Sequence, residues 1–173
     1  MSHVGPRVTI GEAAPDINAT DWQGNPFSLA ALRGKRNVVM ALNRGFICPF
    51  CLRHMARLHD AQADIRARNA EIVIVGPDSP EAFRRHWIAG GYDFVGIPDP
   101  ERRILRRYGQ QVKLMRLGRL PATLVLDRAG IVRYVHYGGS MMDIPPIETI
   151  IKVLDALEKA GQTQKGADRR PAP

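Results

Sequence analysis

The stretch from Val38 to Arg68 constrains this chain more than any other part of it. Val38-Val39-Met40-Ala41-Leu42 is a continuous apolar run, the pattern of a strand buried on both faces. It leads directly into Asn43-Arg44-Gly45-Phe46-Ile47-Cys48-Pro49-Phe50-Cys51. Beyond that, Leu52, Met55, Leu58 and Ile65 fall near helical spacing and predict a helix over 48–68. A buried strand that hands the chain to a helix belongs to an α/β protein. Both cysteines of the chain stand at this junction.

The rest of the chain continues the alternation. Asp21-Trp22-Gln23-Gly24-Asn25-Pro26 predicts a hairpin turn between two short strands, and Phe27 to Leu32 a single helical turn stopped by Gly34. Ile72-Val73-Ile74-Val75 reads as a second buried strand. Ser79-Pro80-Glu81 is a helix start with Pro at the first position, and Phe83 and Trp87 share a face of that helix. Phe94 to Ile97 is a short strand, and Pro100 opens a helix carrying Ile104, Leu105 and Tyr108. Thr123 to Leu126 and Ile131 to Val135 flank the turn Asp127-Arg128-Ala129-Gly130 as a β-hairpin. The last helix starts near Pro145, buries Ile147, Ile150, Ile151, Leu154 and Leu157, and ends at Gly161. Residues 1–160 are expected to form a single domain and 161–173 a disordered tail. The order β-α-β-α-β-α, hairpin, helix predicts a mixed sheet with a parallel core, an antiparallel edge and helices on both faces.

Bulk properties exclude several classes. Apolar residues make up 45% of the chain and charged residues 24%, which places it among ordinary globular proteins. The N-terminus has no apolar stretch behind its charges and reads as no signal peptide, and no run is long enough to span a membrane. A soluble, cytoplasmic protein is the expectation. The net charge of +8 invites a nucleic-acid reading. The basic groups Arg84-Arg85, Arg102-Arg103, Arg106-Arg107 and Arg116/Arg119 are scattered, however, and no nucleic-acid-binding motif accompanies them. Specific nucleic-acid binding is not expected; attraction to acidic partners is the softer consequence.

Two cysteines three residues apart cannot staple distant segments, so Cys48 and Cys51 are read as redox-active or as half of a metal site. The thiolate is the nucleophile in disulfide exchange, and a free thiol is only slightly ionised near neutrality. A helix N-terminus offers unpaired N–H groups and partial positive charge, which favour the anion, and Cys48 sits at such a place. Pro49 fits the first turn because it has no N–H to lose. The helical path then brings Cys51 back beside Cys48, within reach of a disulfide. Arg44 either adds positive charge nearby or faces solvent. The functional rival is Cu(I) or zinc handling by Cys48, Cys51 and His54, but no second Cys/His cluster completes a structural zinc site, and His54 and His59 read more simply as solvent-facing. No metal or other cofactor is expected. Phe46 and Phe50 flank the cysteines as an apolar rim for a partner, Trp22, Trp87 and Tyr108 read as packing, and His136 as structural.

Several segments together resemble the thioredoxin-fold superfamily, and within it the peroxiredoxin-like branch of alkyl hydroperoxide reductase/thiol-specific antioxidant type with a C-x-x-C site. They are Gly11-Glu12-Ala13-Ala14-Pro15-Asp16, the strand into Cys48-Pro49-Phe50-Cys51, Leu120-Pro121-Ala122-Thr123, and Leu126-Asp127-Arg128-Ala129-Gly130. The resemblance covers about residues 7 to 158 and implies a thioredoxin-like fold. It implies that Leu120-Pro121 is a cis-proline loop facing the cysteines, with Pro121 presenting backbone to a substrate sulfur. Arg44-Gly45-Phe46-Ile47-Cys48 is similar to the arginine-glycine-aromatic-cysteine signature of C-x-x-C members.

Departures from the branch bear on the reaction. Typical peroxiredoxins carry P-x-x-x-T-x-x-C; with Cys51 in the last slot, Cys48 stands at the Thr and Arg44 at the Pro. Their second arginine falls six residues before the strand-end Asp, and counting back from Asp127 gives Pro121. A dithiol–disulfide oxidoreductase cycling through a Cys48–Cys51 disulfide is therefore favoured over a thiol peroxidase using the same cysteines. The expected partners are a protein disulfide or hydroperoxide and a thiol electron donor, with a homodimer implied by the resemblance. The thioredoxin frame makes Cys48 the attacking thiol and the peroxiredoxin frame makes it Cys51.

Overall fold

A computed structural model describes residues 5–113, 115 and 118–167, the side chains of 163–167 excepted. Near the N-terminus β1 (Asn18–Thr20) and β2 (Pro26–Ser28) pair antiparallel, with Asn18 opposite Ser28. The Asp21 carboxylate ties the turn by accepting the N–H groups of Gln23 and Asn25 at 2.9 and 2.8 Å, the local closure that makes Asp a turn residue. The helical turn expected over 27–32 is reduced to a 3-10 turn at Ala30–Leu32, because Phe27 and Ser28 are spent on pairing with β1.

The main sheet begins with β3 (Asn37–Leu42), which is followed by α1 (Pro49–Asp60), α2 (Gln62–Ala67) and β4 (Ala70–Gly76). Next come α3 (Pro80–Gly90), β5 (Val95–Pro98) and α4 (Arg103–Arg107). A small ladder of β6 (Val112–Lys113) and β7 (Gly118–Arg119) precedes β8 (Ala122–Leu126), β9 (Val132–Tyr137) and α5 (Ile147–Ala167). The five strands lie in the order β5-β4-β3-β8-β9, with β3-β4 and β4-β5 parallel and β3-β8 and β8-β9 antiparallel. The mixed sheet expected from the sequence is thus present, with the hairpin as its antiparallel edge.

Period-2 alternation along β3 supplies both halves of the core. Val38, Met40 and Leu42 face the layer that holds Ile17, Leu105 and Tyr108. Val39 and Ala41 face Met55 and Leu58 of α1, Phe83 and Trp87 of α3, and Ile150 and Leu154 of α5. Ser79 caps α3 as expected, its hydroxyl accepting the Ala82 N–H at 3.2 Å.

Three helix expectations are corrected. The helix over 48–68 is two helices, interrupted at Ala61 (φ −90°, ψ 4°), and the break leaves both Leu58 and Ile65 in one core. The helix expected from Pro100 starts at Arg103. The buried Asp99 carboxylate accepts the N–H groups of Arg103 and Leu105 at 2.9 and 2.9 Å, and Arg102 takes φ 59°, so Pro100 and Glu101 belong to the preceding turn. Gly161 does not end α5, which runs to Ala167 and makes the first part of the expected disordered tail helical; 168–173 lie outside the described residues. Glycine inside a helix costs only about 1 kcal/mol, and Gly161 lacks the positive φ of a helix-stopping glycine. Among the described residues no helix is long and apolar enough to cross a membrane.

Candidate active site

The C-terminal end of β3, where the chain leaves the sheet, carries the chemistry. Gly45 takes φ 124°, a conformation that suits glycine, and turns the loop under the Asp78 carboxylate, which accepts the Phe46 N–H at 3.1 Å. Cys48 N–H then donates to the Gly45 carbonyl at 3.1 Å, and Cys48 (φ −89°, ψ 109°) becomes the N-cap of α1 with Pro49 at N1. The Cys48 carbonyl accepts the Leu52 N–H at 3.1 Å. Both cysteines are free thiols, Cys48 2% exposed and Cys51 1% exposed.

The two sulfurs have different surroundings. Burial works against the Cys48 anion, yet the Cys51 backbone N–H, the Cys51 thiol and the Arg44 guanidinium outweigh it and lower the Cys48 pKa below the ordinary thiol value. Arg44 Nη1 lies 3.5 Å from Cys48 Sγ. Burial pushes the Cys51 thiol up to about 12, against a partial offset from the Arg44 backbone N–H, which lies 3.5 Å from Cys51 Sγ; the neighbouring Cys48 charge adds to the rise. One sulfur is disposed to be a thiolate and the other to keep its proton. Arg44 therefore does not face solvent: its guanidinium is held in the site, with Nε donating to the Arg119 carbonyl.

Gln110, which the sequence analysis did not single out, anchors this arrangement. It is 1% exposed, donates to the carbonyls of Leu42 and Asn43 at 3.0 and 3.0 Å, and accepts Arg119 Nη1 at 3.0 Å. A continuous path thus runs from the end of β3 through Gln110, Arg119 and Arg44 to Cys48. A lone glutamine between a helix and a two-residue strand carries no periodic signal, so only the fold identifies it.

Other expected site residues are placed differently. Leu120-Pro121 is not cis: among the described residues there is no cis peptide bond. Pro121 is buried at the head of β8 with its carbonyl accepting the Gly138 N–H at 2.9 Å, a trans sheet-start proline whose backbone oxygen is already spent on the neighbouring strand region. The backbone oxygen bonded to the site is that of Arg119, through Arg44. Phe46 is 8% exposed and turned inward, its ring 4.8 Å from Phe83 and stacked on His86 at 4.0 Å, so it is core rather than rim. Phe50 is half-buried, and the exposed apolar side chain beside Cys48 is Ile47, at 94%. Ile47 precedes the helix, so the core on α1 has no claim on it.

His54 is also not solvent-facing. With Cys51, Met55 and Leu58 it forms the buried stripe of α1, a spacing readable in the sequence, and burial followed by repulsion from Arg57 holds its pKa down at about 4. His59 is partly buried against Tyr92 at 5.3 Å. Among the described residues no group of three or more His, Cys, Asp or Glu is placed to hold a metal ion. Arg116, part of one expected basic group, lies outside the described residues.

This sheet order, with two thiols at the mouth of the helix after its central strand, defines a thiol oxidoreductase of thioredoxin-like fold. Residues 10–135 match the model of the AhpC/TSA family, and the chain belongs to that family. It is 27% identical over 154 residues to a chloroplastic peroxiredoxin Q of Sedum lineare, covering 88% of this chain and 81% of the relative. It is likewise 27% identical over 135 residues to the thiol-disulfide oxidoreductase ResA of Geobacillus kaustophilus, covering 76% of this chain and 71% of that one. Among solved structures, peroxidoxin BcpB of Mycobacterium tuberculosis superimposes with a TM-score of 0.76 at 19% identity, over 86% of this chain and 97% of that one. The fold is shared beyond what the sequence alone displays.

Proposed function

We propose that the protein is a dithiol–disulfide oxidoreductase in which Cys48 attacks and Cys51 resolves. The observation that carries this reading is the asymmetry of the pair: Cys48 has the Arg44 guanidinium at 3.5 Å and a lowered pKa, whereas Cys51 is held as a buried thiol. The Cys48 thiolate attacks one sulfur of a substrate disulfide, forming a mixed disulfide and expelling a thiolate. Cys51 then gives up its proton and attacks Cys48 Sγ, expelling the second substrate thiolate and leaving a Cys48–Cys51 disulfide. Two electrons pass from the protein to the substrate, and a thiol electron donor returns them. Cytoplasmic thiol pools suit this cycle, and a homodimer is the assembly that the family resemblance implies.

A peroxidase reading uses the same sulfurs and is favoured by the peroxiredoxin Q relative. There one thiolate, Cys51 by the peroxiredoxin frame and Cys48 by the asymmetry of the pair, takes the terminal oxygen of a hydroperoxide, releasing alcohol or water. The other cysteine condenses with the sulfenic acid to give the same disulfide and water.

Reduced protein mixed separately with hydrogen peroxide and with a protein disulfide, quenched by alkylation and read by mass spectrometry, separates the two. Fast reaction with the disulfide and peroxide oxidation at free-thiol speed is the expected result. Peroxide oxidation orders of magnitude faster than a free thiol, with sluggish exchange, would overturn the first reading in favour of the second.

A further inference from the structure

Beside the C-x-x-C segment lies a cavity of about 260 Å³ between α1 and the loop that follows β9, lined by Phe50, Arg53, His54, Arg57, Met142 and Ile144. Phe50, the residue preceding Cys51, forms one wall, so a molecule held there lies against the segment that carries both sulfurs. Helical spacing puts Phe50, Arg53 and Arg57 on one face of α1. Arg53 and Arg57 are exposed and, among the described residues, neither forms an ion pair, while the lining holds no acidic residue. Phe50, Met142 and Ile144 make the remaining surface apolar, and Met142 is largely exposed there. His54 contributes an imidazole whose Nε2 is buried and has no hydrogen-bond partner, a polar group that a ligand acceptor would satisfy.

We infer that this cavity is a substrate subsite for small organic disulfides that carry carboxylates, with Arg53 and Arg57 binding the carboxylate and Phe50, Met142 and Ile144 receiving the aliphatic arm. The inference rests on the exchange reading and supplies its substrate class. Its chemistry is the same balanced exchange: Cys48 displaces one carboxylate-bearing thiolate, Cys51 displaces the other, and the disulfide formed in the protein accounts for both electrons. Two guanidinium groups that form no ion pair among the described residues, set beside the apolar side chains of Phe50, Met142 and Ile144, select charge as well as shape. Such a site discriminates against a cationic arm of equal length.

The test uses disulfides with ethylene arms that differ only in their end groups: 3,3′-dithiodipropionate, 2-hydroxyethyl disulfide and cystamine. Rates of Cys48–Cys51 formation in the reduced protein are compared for the wild type, Arg53→Gln/Arg57→Gln, and Lys35→Gln/Arg36→Gln. The last pair removes the same charge at the start of β3, the opposite end of that strand from the site. The wild-type ratio of dicarboxylate to neutral disulfide is expected to fall about tenfold in Arg53→Gln/Arg57→Gln and to persist in Lys35→Gln/Arg36→Gln. Where the wild type reacts with the dicarboxylate faster than a free thiol does, an equal fall in both variants, or no fall in either, would overturn the subsite. Calorimetric titration with 3,3′-thiodipropionate, the unreactive thioether, checks binding apart from chemistry. Binding that Arg53→Gln/Arg57→Gln abolishes supports the subsite even if every disulfide reacts at free-thiol speed, a result that would sink the exchange reading alone. Binding that survives this double substitution refutes the subsite.

Discussion

Arg44 Nη1 stands 3.5 Å from Cys48 Sγ, and the same guanidinium donates through Nε to the Arg119 carbonyl. The positive charge beside the sulfur is therefore fixed by the hairpin of β6 and β7 as much as by the active-site loop. Arg44→Gln is expected to move the Cys48 thiolate midpoint to higher pH. Its rate of alkylation by iodoacetamide at pH 7 should fall on the order of five-fold. Thiolate absorbance followed against pH reads the midpoint directly; an unchanged midpoint would show that the N-terminus of α1 suffices.

The asymmetry of the two sulfurs predicts opposite outcomes for their replacement. Cys48→Ser should lower disulfide reductase activity by about a hundredfold or more. Cys51→Ser should still attack but accumulate the mixed disulfide, visible in the intact mass as added substrate. A mixed disulfide trapped at Cys51 in the Cys48→Ser protein, with none accumulating at Cys48 in the Cys51→Ser protein, would reverse the assignment.

His54 couples stability to pH. Its folded-state pKa of about 4 lies below the ordinary histidine value, so the unfolded chain binds the proton first as pH falls. Stability is thus fully present above about pH 6.5 and is lost progressively toward pH 4, by up to about 3 kcal/mol. Urea denaturation of wild type and His54→Gln at pH 7 and pH 4.5 checks the sign: the variant should show the shallower loss.

Phe46 and Ile47 are neighbours with opposite environments. Phe46→Ala is expected to cost about 3–5 kcal/mol, since it opens a cavity against Phe83 and Trp87. Ile47→Ser should leave stability within about 0.5 kcal/mol and instead raise KM for a protein disulfide. Denaturation midpoints paired with KM values for the two variants distinguish core from rim.

Gln110→Leu removes three hydrogen bonds in a buried place and leaves the carbonyls of Leu42 and Asn43 without this donor. Stability should fall by about 2 kcal/mol, and the Cys48 midpoint should rise because Arg119 loses its anchor. A stability loss with no change in thiolate midpoint would confine Gln110 to a structural role.

Much of the fold is legible in the sequence because its signals are local. Val38 to Leu42 and Ile72 to Val75 are apolar beyond what a half-buried strand needs, and each is a central strand. The turn at Asp127 to Gly130 joins β8 to β9 as its residues predict. The misplaced boundaries turn on how one side chain and one backbone conformation are used, which residue type alone does not settle. Pro100 is a good helix starter, but the Asp99 carboxylate holds the first N–H groups of α4 and delays it. Gly161 is a good helix stop, but nothing at its position demands a left-handed backbone.

The site divides the same way. Sequence by itself determined that the two thiols sit at a strand-to-helix junction, because the apolar run, the proline at N1 and the three-residue spacing are properties of neighbouring residues. Tertiary structure alone decided that Arg44 turns onto Cys48 and Arg119, that Pro121 is a trans sheet-start residue and that Phe46 is core. It also decided that Arg53, His54 and Arg57 meet Met142 and Ile144 across a cavity. These depend on groups far apart in the chain competing for the same donors, acceptors and apolar space, and that competition is resolved only when the sheet brings them together.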